Sequence, residues 1–266
     1  MTSKPLRNVS DDFCDATRLS DHQHICGLIR NSHGHNQLMP SKRSKAKETE
    51  ALLKAANSLD EKAFAKYLPD EHKITSKDGN TTYVWTFHAS EDLKDDDFEA
   101  CFNLIEETSS ADYKAASQGW HPKHKREEMG EKDMRYILLQ DETELGILAF
   151  TSFMLTPEDD EAVIYIYEIH LSTALRGSGI GKGMVELVEG IGKAVGVSMS
   201  MLTVFTANEH AEAFYRHLGY TEDASSPQAR KLRGGKVKKP EYLILSKKLT
   251  TIASTKRAKP WKNTAG

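Results

Sequence analysis

The chain has 266 residues, of which 38% are hydrophobic, and its formal net charge at pH 7 is -3. This length accommodates one substantial core with appended segments, and the small net charge argues against a polycation built for nucleic acid or a strongly acidic chaperone. No run approaches the roughly 18 to 20 apolar residues of a membrane span, and the first residues lack the layout of a secretory signal, so we expect a soluble intracellular protein.

The first segment, residues 1–45, is polar and shows no sustained apolar period, which predicts a disordered N-terminal extension. It carries six side chains of the types that bind zinc: Cys14, His22, His24, Cys26, His33 and His35. Their spacing matches no standard zinc finger, so we expect no metal site. With Cys101 the chain has three cysteines, an odd number that argues against a disulfide framework and favours the nucleus and cytoplasm.

The first predicted elements are a helix at 50–59 after a basic run at 42–47, a strand at 81–89, a helix after 95–97, and a helix at 123–129. The strand is rich in β-branched and aromatic residues. The second helix follows an acidic cluster suited to a helix N-terminus and carries Phe98, Phe102 and Ile105 on one face.

The next predicted elements are strands at 135–140, 146–155 and 163–171, the first two joined by an acidic turn at 141–144. In the third strand, regular alternation assigns one face to Val163, Tyr165, Tyr167 and Ile169, and the other to Ile164, Ile166, Glu168 and His170. Glu168 is therefore a carboxylate on an otherwise apolar strand.

The remaining predicted elements are a helix at 180–195, a strand at 200–205, a helix at 209–218 ended by Gly219, a loop at 225–240 and a strand at 242–249. A meander followed by crossovers predicts an α+β fold, a mixed central sheet flanked by helices. We expect this domain to span residues 46–249 and to precede a basic tail at 250–266.

A glycine-rich segment, Arg176-Gly177-Ser178-Gly179-Ile180-Gly181, lies directly after a predicted strand and directly before an amphipathic helix. Glycines let backbone N–H groups converge on an anion, and a helix N-terminus adds about half a positive charge. The segment lacks the Gly-Lys-Ser/Thr ending of a Walker loop, and the preceding meander does not fit a Rossmann unit. A pyrophosphate site is the functional interpretation, and a plain strand-to-helix turn is the structural one.

This segment resembles the coenzyme A loop of the GNAT acetyltransferases, Arg-x-x-Gly-x-Gly after a strand. The chain is further similar to one branch, the NatD family of histone N-terminal acetyltransferases, over about residues 41–248. The matching segments are residues 45–48, 55–59, 119–120, 125–129, 165–169, 201–205, 225–227 and 242–246. Several matches in the same order make the resemblance specific.

The resemblance implies acetyl-CoA as co-substrate and, as acceptor, the N-terminal Ser of histone tails of types four and two-A, which begin Ser-Gly-Arg-Gly. The implied cofactor-binding residues are Ile169, His170, Leu171, Arg176, Gly177, Ser178, Gly179, Ile180, Gly181, Lys182, Thr203, Asn208 and Tyr215. The implied substrate-binding residues are Tyr113, Trp120, Thr156, Asp159, Asp160, Tyr165, Tyr167, Glu168 and Tyr242. A monomer without an auxiliary subunit, nucleic acid or membrane partner is also implied.

Glu168 is the candidate general base, since a carboxylate held between aromatic neighbours on a strand can have its pKa raised toward neutrality. A salt-bridging Glu at the sheet edge is the structural alternative. Tyr215 occupies the place where many GNAT enzymes keep a general acid. Asp159 and Asp160 belong to an acidic loop that is either the partner of the substrate Arg or a solvated turn.

Other interpretations stay open at this point. The pocket tyrosines could be ordinary core, and the basic runs at 42–47 and 256–259 are either nuclear signals or solvated segments. A GNAT enzyme with another amine acceptor, or a non-catalytic module that binds acyl-CoA or histones, would share the glycine-rich loop. Acetyl transfer to peptides with free and blocked N-termini separates these functions.

Overall fold

The computed structural model of the chain describes residues 40–140, 146–231 and 233–250, with side chains from Ser44 onward. The cysteine and histidine segment, the predicted acidic turn at 141–144 and the predicted basic tail after residue 250 lie outside these ranges. Cys101 is a free, buried thiol. In the described ranges, the helices are too short or too polar to cross a membrane.

The described helices are α1 Pro40–Asn57, α2 Glu61–Phe64, α3 Asp95–Ala115, α4 Pro122–Met129, α5 Ile180–Val195 and α6 Glu209–His217. The described strands are β1 Lys73–Thr75, β2 Thr82–Ala89, β3 Arg135–Gln140, β4 Ile147–Glu158, β5 Glu161–Leu171, β6 Met199–Phe205, β7 Thr221–Glu222, β8 Arg230–Lys231, β9 Val237–Lys238 and β10 Tyr242–Lys248. Short 3-10 turns lie at Ala65–Tyr67, Ser90–Asp92 and Thr173–Leu175.

The central sheet has eight strands in the order β1-β2-β3-β4-β5-β6-β10-β7. Its pairs are antiparallel except β5 and β6, which run parallel and are joined through α5. Helix α5 is the crossover that a parallel pair requires. The predicted α+β class, with a mixed sheet flanked by helices, is confirmed.

The sheet separates two apolar cores. One core lies under α1, α2, α5 and α6 and includes Leu53, Phe64, Val188 and Tyr215. The other lies under α3 and α4 and includes Phe102, Ile105 and Met129. Each strand that faces both layers is therefore buried on both sides, which explains the nearly continuous apolar run in β3.

Helix α1 begins at Pro40, within the segment predicted to be disordered, and is longer than the helix predicted at 50–59. Its polar N-terminal half is held by tertiary contacts rather than by an apolar stripe. The Lys45 ammonium lies 2.6 Å from a Glu161 carboxylate oxygen, and the Thr49 hydroxyl donates to the Asp160 carbonyl at 3.0 Å. These contacts fasten α1 to the turn between β4 and β5.

Strand β5 contains a β-bulge that overturns the predicted alternation of its side chains. Ser152 of β4 pairs with Glu168 and Phe153 pairs with Ile166, so Tyr167 is an extra residue on β5. Ile164, Ile166 and Ile169 consequently belong to the core under α5, whereas Tyr167 contacts the core under α3. Tyr165 and Tyr167 are also neighbours, with ring centroids 5.3 Å apart. The assignment of Glu168 to the face of Ile164 and Ile166 is wrong.

The short strands β1, β7, β8 and β9 were not apparent from the sequence. The strands β8 and β9 form a separate two-stranded hairpin inside the segment predicted to be a loop. Gly234 and Gly235 have φ angles of 88° and 79° between them, a conformation that favours glycine. Strands of two or three residues carry too little periodicity to be recognised.

Gly192 lets α5 approach β5 closely, and its substitution tests the packing of this layer. A Cβ at Gly192 would lie 2.8 Å from Ile164 Cγ2 and 3.0 Å from Leu249 Cδ1. We expect Gly192→Ala to lower the free energy of unfolding by about 1–3 kcal/mol because the core must shift to accept the methyl group. Thermal denaturation measures this change, with Ala194→Ser on the exposed face of α5 as control. Equal melting temperatures for Gly192→Ala and the unaltered protein would contradict the close packing.

Candidate active site

A cleft opens where the parallel strands β5 and β6 separate. Their pairing covers Val163–Ile166 with Met199–Leu202 and ends at the bulge. Beyond it, the part of β5 that carries Ile169, His170 and Leu171 is no longer paired with β6, where Thr203 lies. Backbone groups along such an unpaired stretch are available to an extended ligand. The backbone of the cofactor residues predicted on these two strands therefore borders one opening, while the His170 side chain is buried.

The glycine-rich segment follows β5 at the open end of this cleft. Gly177 and Gly179 have φ angles of 74° and 87°, and α5 begins at the next residue, Ile180. The Ser178 hydroxyl donates to the Leu175 carbonyl at 2.6 Å, which fixes the turn. The first N–H groups of α5 have no carbonyl acceptor within the helix. That of Ile180 donates to the Ser178 hydroxyl at 3.3 Å, and the next ones are the groups that an anion at this helix N-terminus would contact.

Side chains around this turn add positive charge. Arg176 and Lys182 are both exposed. A Cβ at Gly181 would lie 3.6 Å from the Phe214 ring, so the backbone passes close to α6. The turn is also tied to the neighbouring segment, because the Lys77 N–H donates to the Ser178 carbonyl at 2.7 Å. The geometry is that of an anion site at a helix N-terminus.

Asn208 and Tyr215, which were predicted to contact the cofactor, lie at the β6 side of the cleft. Asn208 caps α6 by accepting from the Ala211 N–H at 3.1 Å, and its amide donates to Asp112 at 3.1 Å. The Tyr215 ring is buried against Phe214, with centroids 5.1 Å apart. Burial and the nearby Glu168 charge both raise the pKa of Tyr215, so its hydroxyl stays protonated.

Glu168 lies in a buried cluster of polar side chains on the α3 and α4 side of the sheet. One carboxylate oxygen, Oε1, accepts from the Lys125 ammonium at 2.9 Å, and the other, Oε2, lies 2.6 Å from His170 Nε2. His170 Nδ1 is 2.5 Å from the Thr108 hydroxyl. Glu168 is only 8% exposed and His170 6%. The bulge at Tyr167 places the carboxylate in this cluster.

The charge state of the Glu168 carboxyl differs from the prediction. Burial by itself raises its pKa, but the Lys125 ammonium and the His170 contact outweigh burial and hold the pKa well below its usual range. The predicted raised pKa is therefore wrong, because the sequence did not show that Lys125 would reach β5. In Glu128, by contrast, burial outweighs the Lys125 ammonium, and the pKa rises to about 7.

Aromatic side chains form a wall beside the cluster. The Tyr113 ring lies 5.4 Å from the Trp120 ring and 5.0 Å from the Phe205 ring, measured between centroids. The Tyr165 hydroxyl is 2.5 Å from the Thr203 hydroxyl at the base of the cleft. Tyr242 begins β10 opposite Phe205. The structure thus brings the predicted substrate-binding aromatics together around the place where β5 and β6 separate.

The predicted partners of a substrate Arg lie elsewhere. Asp159 and Asp160 form the tight β4–β5 turn, with φ angles of 45° and 66°, and Thr156 pairs with Val163 near that turn. At about 3.3 Å per residue, Asp160 lies roughly 25 Å along β5 from Glu168. This turn contacts α1 and is remote from the aromatic wall.

Sequence reasoning missed three residues of the buried cluster: Thr108, Lys125 and Glu128. In the sequence, Lys125 and Glu128 look like surface charges of a short, strongly polar helix. The sequence offered only a weak signal for these residues. A carboxylate that is buried on a strand needs a cation or a hydrogen-bond donor as partner, so the presence of Glu168 on β5 indicated that such a partner exists. Which helix supplies that partner depends on the fold.

Groups of three or more His, Cys, Asp or Glu side chains arranged to hold a metal ion do not occur among the described residues. For acyl transfer to an amine, the required parts are an anion site for the donor, a proton acceptor and a walled acceptor pocket.

Comparison with known proteins agrees with this arrangement. Residues 96–220 match the acetyltransferase (GNAT) family. N-alpha-acetyltransferase 40 of Saccharomyces cerevisiae is 33% identical over 191 aligned positions, which cover 60% of this chain and 64% of the yeast protein. The chain thus spans slightly less than two thirds of that relative.

The chain is also similar to solved structures of other proteins. The ribosomal-protein-S18-alanine N-acetyltransferase of Escherichia coli is 15% identical, with a TM-score of 0.45, covering 66% of this chain and 100% of that chain. Arabidopsis thaliana NAA60, solved in complex with a bisubstrate analogue, is 10% identical with a TM-score of 0.45, covering 63% of this chain and 99% of that chain. The sheet, its flanking helices and the match of residues 96–220 to the acetyltransferase (GNAT) family together give the described domain the GNAT fold.

Proposed function

We propose that this protein transfers the acetyl group of acetyl-CoA to the α-amino group of an N-terminal Ser, in histone tails that begin Ser-Gly-Arg-Gly. The main support for the proposal comes from strand β5. It bears the buried carboxylate Glu168 beside its bulge and leads into the glycine-rich turn. The anion site and the proton acceptor are therefore positioned by the same element. The similarity to N-alpha-acetyltransferase 40 of yeast supports an N-terminal amine as acceptor.

The residues at the open end of the cleft fit acetyl-CoA. The left-handed glycines Gly177 and Gly179 and the first N–H groups of α5 would hold the pyrophosphate, with Arg176 and Lys182 adding charge. The unpaired part of β5 offers backbone groups to the extended arm of the ligand. When bound, acetyl-CoA supplies a thioester, whose carbonyl carbon accepts the amine.

At pH 7 an α-amine is a more reactive acceptor than a lysine side chain. An α-amino group titrates near 8 and a lysine near 10.4, so roughly a tenth of the former but well under 0.1% of the latter is neutral at pH 7. Tyr165, Tyr167 and Tyr242 provide flat walls and hydroxyls for a small Ser-Gly backbone. A modest proton acceptor is sufficient for such an amine.

Glu168 is the proposed proton acceptor, acting directly or through one water. A new C–N bond forms as the C–S bond breaks, and the proton that leaves the amine nitrogen goes to a Glu168 oxygen. Each carboxylate oxygen has two lone pairs, so contacts with Lys125 and His170 leave acceptor capacity. Tyr215, whose hydroxyl stays protonated, is the proposed donor to the departing thiolate.

The proposal is tested by acetyl transfer to Ser-Gly-Arg-Gly peptides with free and with blocked N-termini. We expect the free peptide to gain one acetyl group at its α-amine, and the blocked peptide to stay unmodified, as mass spectrometry of the products would show. Modification of lysine in the blocked peptide would indicate a different amine acceptor. Binding of acetyl-CoA without transfer to either peptide would indicate a non-catalytic module.

A further inference from the structure

Lys125 is a buried lysine on the short polar helix α4, which also buries Glu128 and Met129. Its side chain is 4% exposed, whereas Lys123, two residues earlier on α4, is 87% exposed. A lysine ammonium is rarely buried unless it is paired. The buried Lys125 ammonium therefore needs hydrogen-bonding or anionic partners, and these lie on the side of α4 that faces the sheet.

The Lys125 ammonium uses its three donors on three partners from three elements. It lies 2.9 Å from Glu168 Oε1 on β5, 2.8 Å from Glu128 Oε1 on α4 and 2.8 Å from the Tyr113 hydroxyl on α3. It also lies 4.7 Å from the centroid of the Tyr113 ring. Since an ammonium has three N–H groups, this arrangement fixes its orientation completely. The proposed proton acceptor and the aromatic wall are thereby joined through one nitrogen.

We propose that Lys125, anchored by Glu128, is a positioning residue of the acetyl-transfer site: its ammonium holds the Glu168 carboxylate and the Tyr113 hydroxyl in fixed positions on one nitrogen. This inference rests on the proposed function, since it assigns the residues that act through Glu168. Lys125 itself donates to protein groups only and takes no part in bond formation.

The groups that face Glu168 come from every element packed against it: Lys125 and Glu128 of α4, Tyr113 of α3, Tyr136 of β3, His170 of β5 and Tyr215 of α6. Lys125 is a permanent cation in this set, because its carboxylate partners outweigh burial and raise its pKa. The tyrosine hydroxyls stay neutral because burial raises each of their pKa values. Removing the Lys125 charge therefore leaves His170 as the remaining group that favours ionised Glu168.

Loss of the Lys125 ammonium should change how activity depends on pH. Burial is the largest influence on Glu168 and raises its pKa, and Lys125 is the largest influence that opposes it. Without Lys125 the Glu168 pKa rises, so the carboxylate becomes protonated as the pH falls through the raised value. A variant without the Lys125 ammonium should therefore be less active than the unaltered enzyme at low pH. This difference in activity should become smaller as the pH increases.

The test replaces Lys125 by Met, which keeps most of the length of the side chain but removes the ammonium group and its charge. For Lys125→Met we expect turnover at pH 7 to fall by about 10-fold or more, with the Michaelis constant for acetyl-CoA unchanged. The deficit should shrink at alkaline pH, and Lys125→Arg should recover part of the turnover. A purely structural role would lower activity equally at all pH values.

A second variant controls for the possibility that Lys125→Met fails to fold. Lys125→Met combined with Glu128→Gln removes one cation and one carboxylate together, so the buried charge stays balanced. This double variant should keep the pH shift, while the exposed control Lys123→Met should match the unaltered enzyme. A folded double variant with the turnover and pH profile of the unaltered enzyme would overturn the positioning role. If the unaltered enzyme modifies no amine, or Glu168→Gln retains full turnover, the proposed function has failed instead.

Discussion

Glu168→Gln is expected to lower the turnover number of acetyl transfer by about 10²-fold or more, while the dissociation constant for acetyl-CoA stays unchanged. Gln keeps the shape of the side chain but cannot take the proton that leaves the amine. The glycine-rich turn lies beyond the end of β5 and does not contact Glu168, so donor binding should be independent of the change. Steady-state kinetics and calorimetric titration of acetyl-CoA measure the two quantities separately.

The matched control for this substitution is Glu127→Gln on α4. Glu127 is 55% exposed and pairs only loosely with Lys123, at 3.8 Å, so the same chemical change there should leave turnover and binding unaltered. Thermal denaturation of both variants excludes a loss of folding as the cause. Full turnover in a folded Glu168→Gln variant would remove Glu168 from the proton-accepting role.

Gly179→Val is expected to weaken acetyl-CoA binding by at least about 10-fold, which corresponds to about 1.4 kcal/mol. Gly179 has a φ of 87°, where a β-branched residue is strongly disfavoured, and a Cβ there would lie 3.1 Å from Lys77 Cβ. The turn must therefore change its shape, and the N–H groups before α5 no longer converge on one anion. Calorimetric titration with acetyl-CoA measures the loss.

Gly196→Val provides the control for Gly179→Val. Gly196 has a φ of 100° at the other end of α5, and no atom lies within 4 Å of a Cβ placed there. Its substitution introduces comparable backbone strain roughly 24 Å from the turn. It should lower stability without changing the affinity for acetyl-CoA. Equal affinities for the two variants would show that the turn at Gly179 does not form the anion site.

The glycine-rich turn was predictable from sequence because each of its requirements is local. A strand, two glycines in left-handed positions and an amphipathic helix follow one another within a few residues, and the structure has them in that order. The α5 stripe is similarly local, since residues such as Met184, Leu187 and Ile191 recur with helical period. Local pattern therefore sufficed to predict the turn and the helix that follows it.

The charge state of Glu168 was not predictable in this way. Its immediate neighbours in sequence are aromatic and apolar, which suggested a raised pKa, whereas the cation that lowers its pKa is Lys125, which is distant in sequence. Lys125 precedes it by more than 40 positions, in a helix whose pattern is that of a solvated surface. Long-range electrostatic pairs of this kind leave no periodic trace in a single sequence.

Tertiary contacts also explain why α1 was predicted too short. The residues before Leu52 are mostly polar, and helical period appears only from there onward. Thr49 is nevertheless buried, because its hydroxyl bonds the β4–β5 turn, and Asn57 donates to the Leu155 carbonyl at 2.9 Å. A helix end held by side-chain to backbone bonds is invisible to a pattern of apolar residues.

Because of the bulge at Tyr167, the number of residues in strand β5 determines which side of the sheet the Glu168 carboxylate faces. Strict alternation would turn Glu168 toward the same side as Ile166, into the apolar layer beneath α5. One additional residue rotates the carboxylate to the opposite side, where the Lys125 ammonium lies. Deletions and insertions between Ile166 and Glu168 should therefore be tolerated less well than substitutions of Tyr167. Natural variation in this stretch is thus expected to change residue types while preserving residue count.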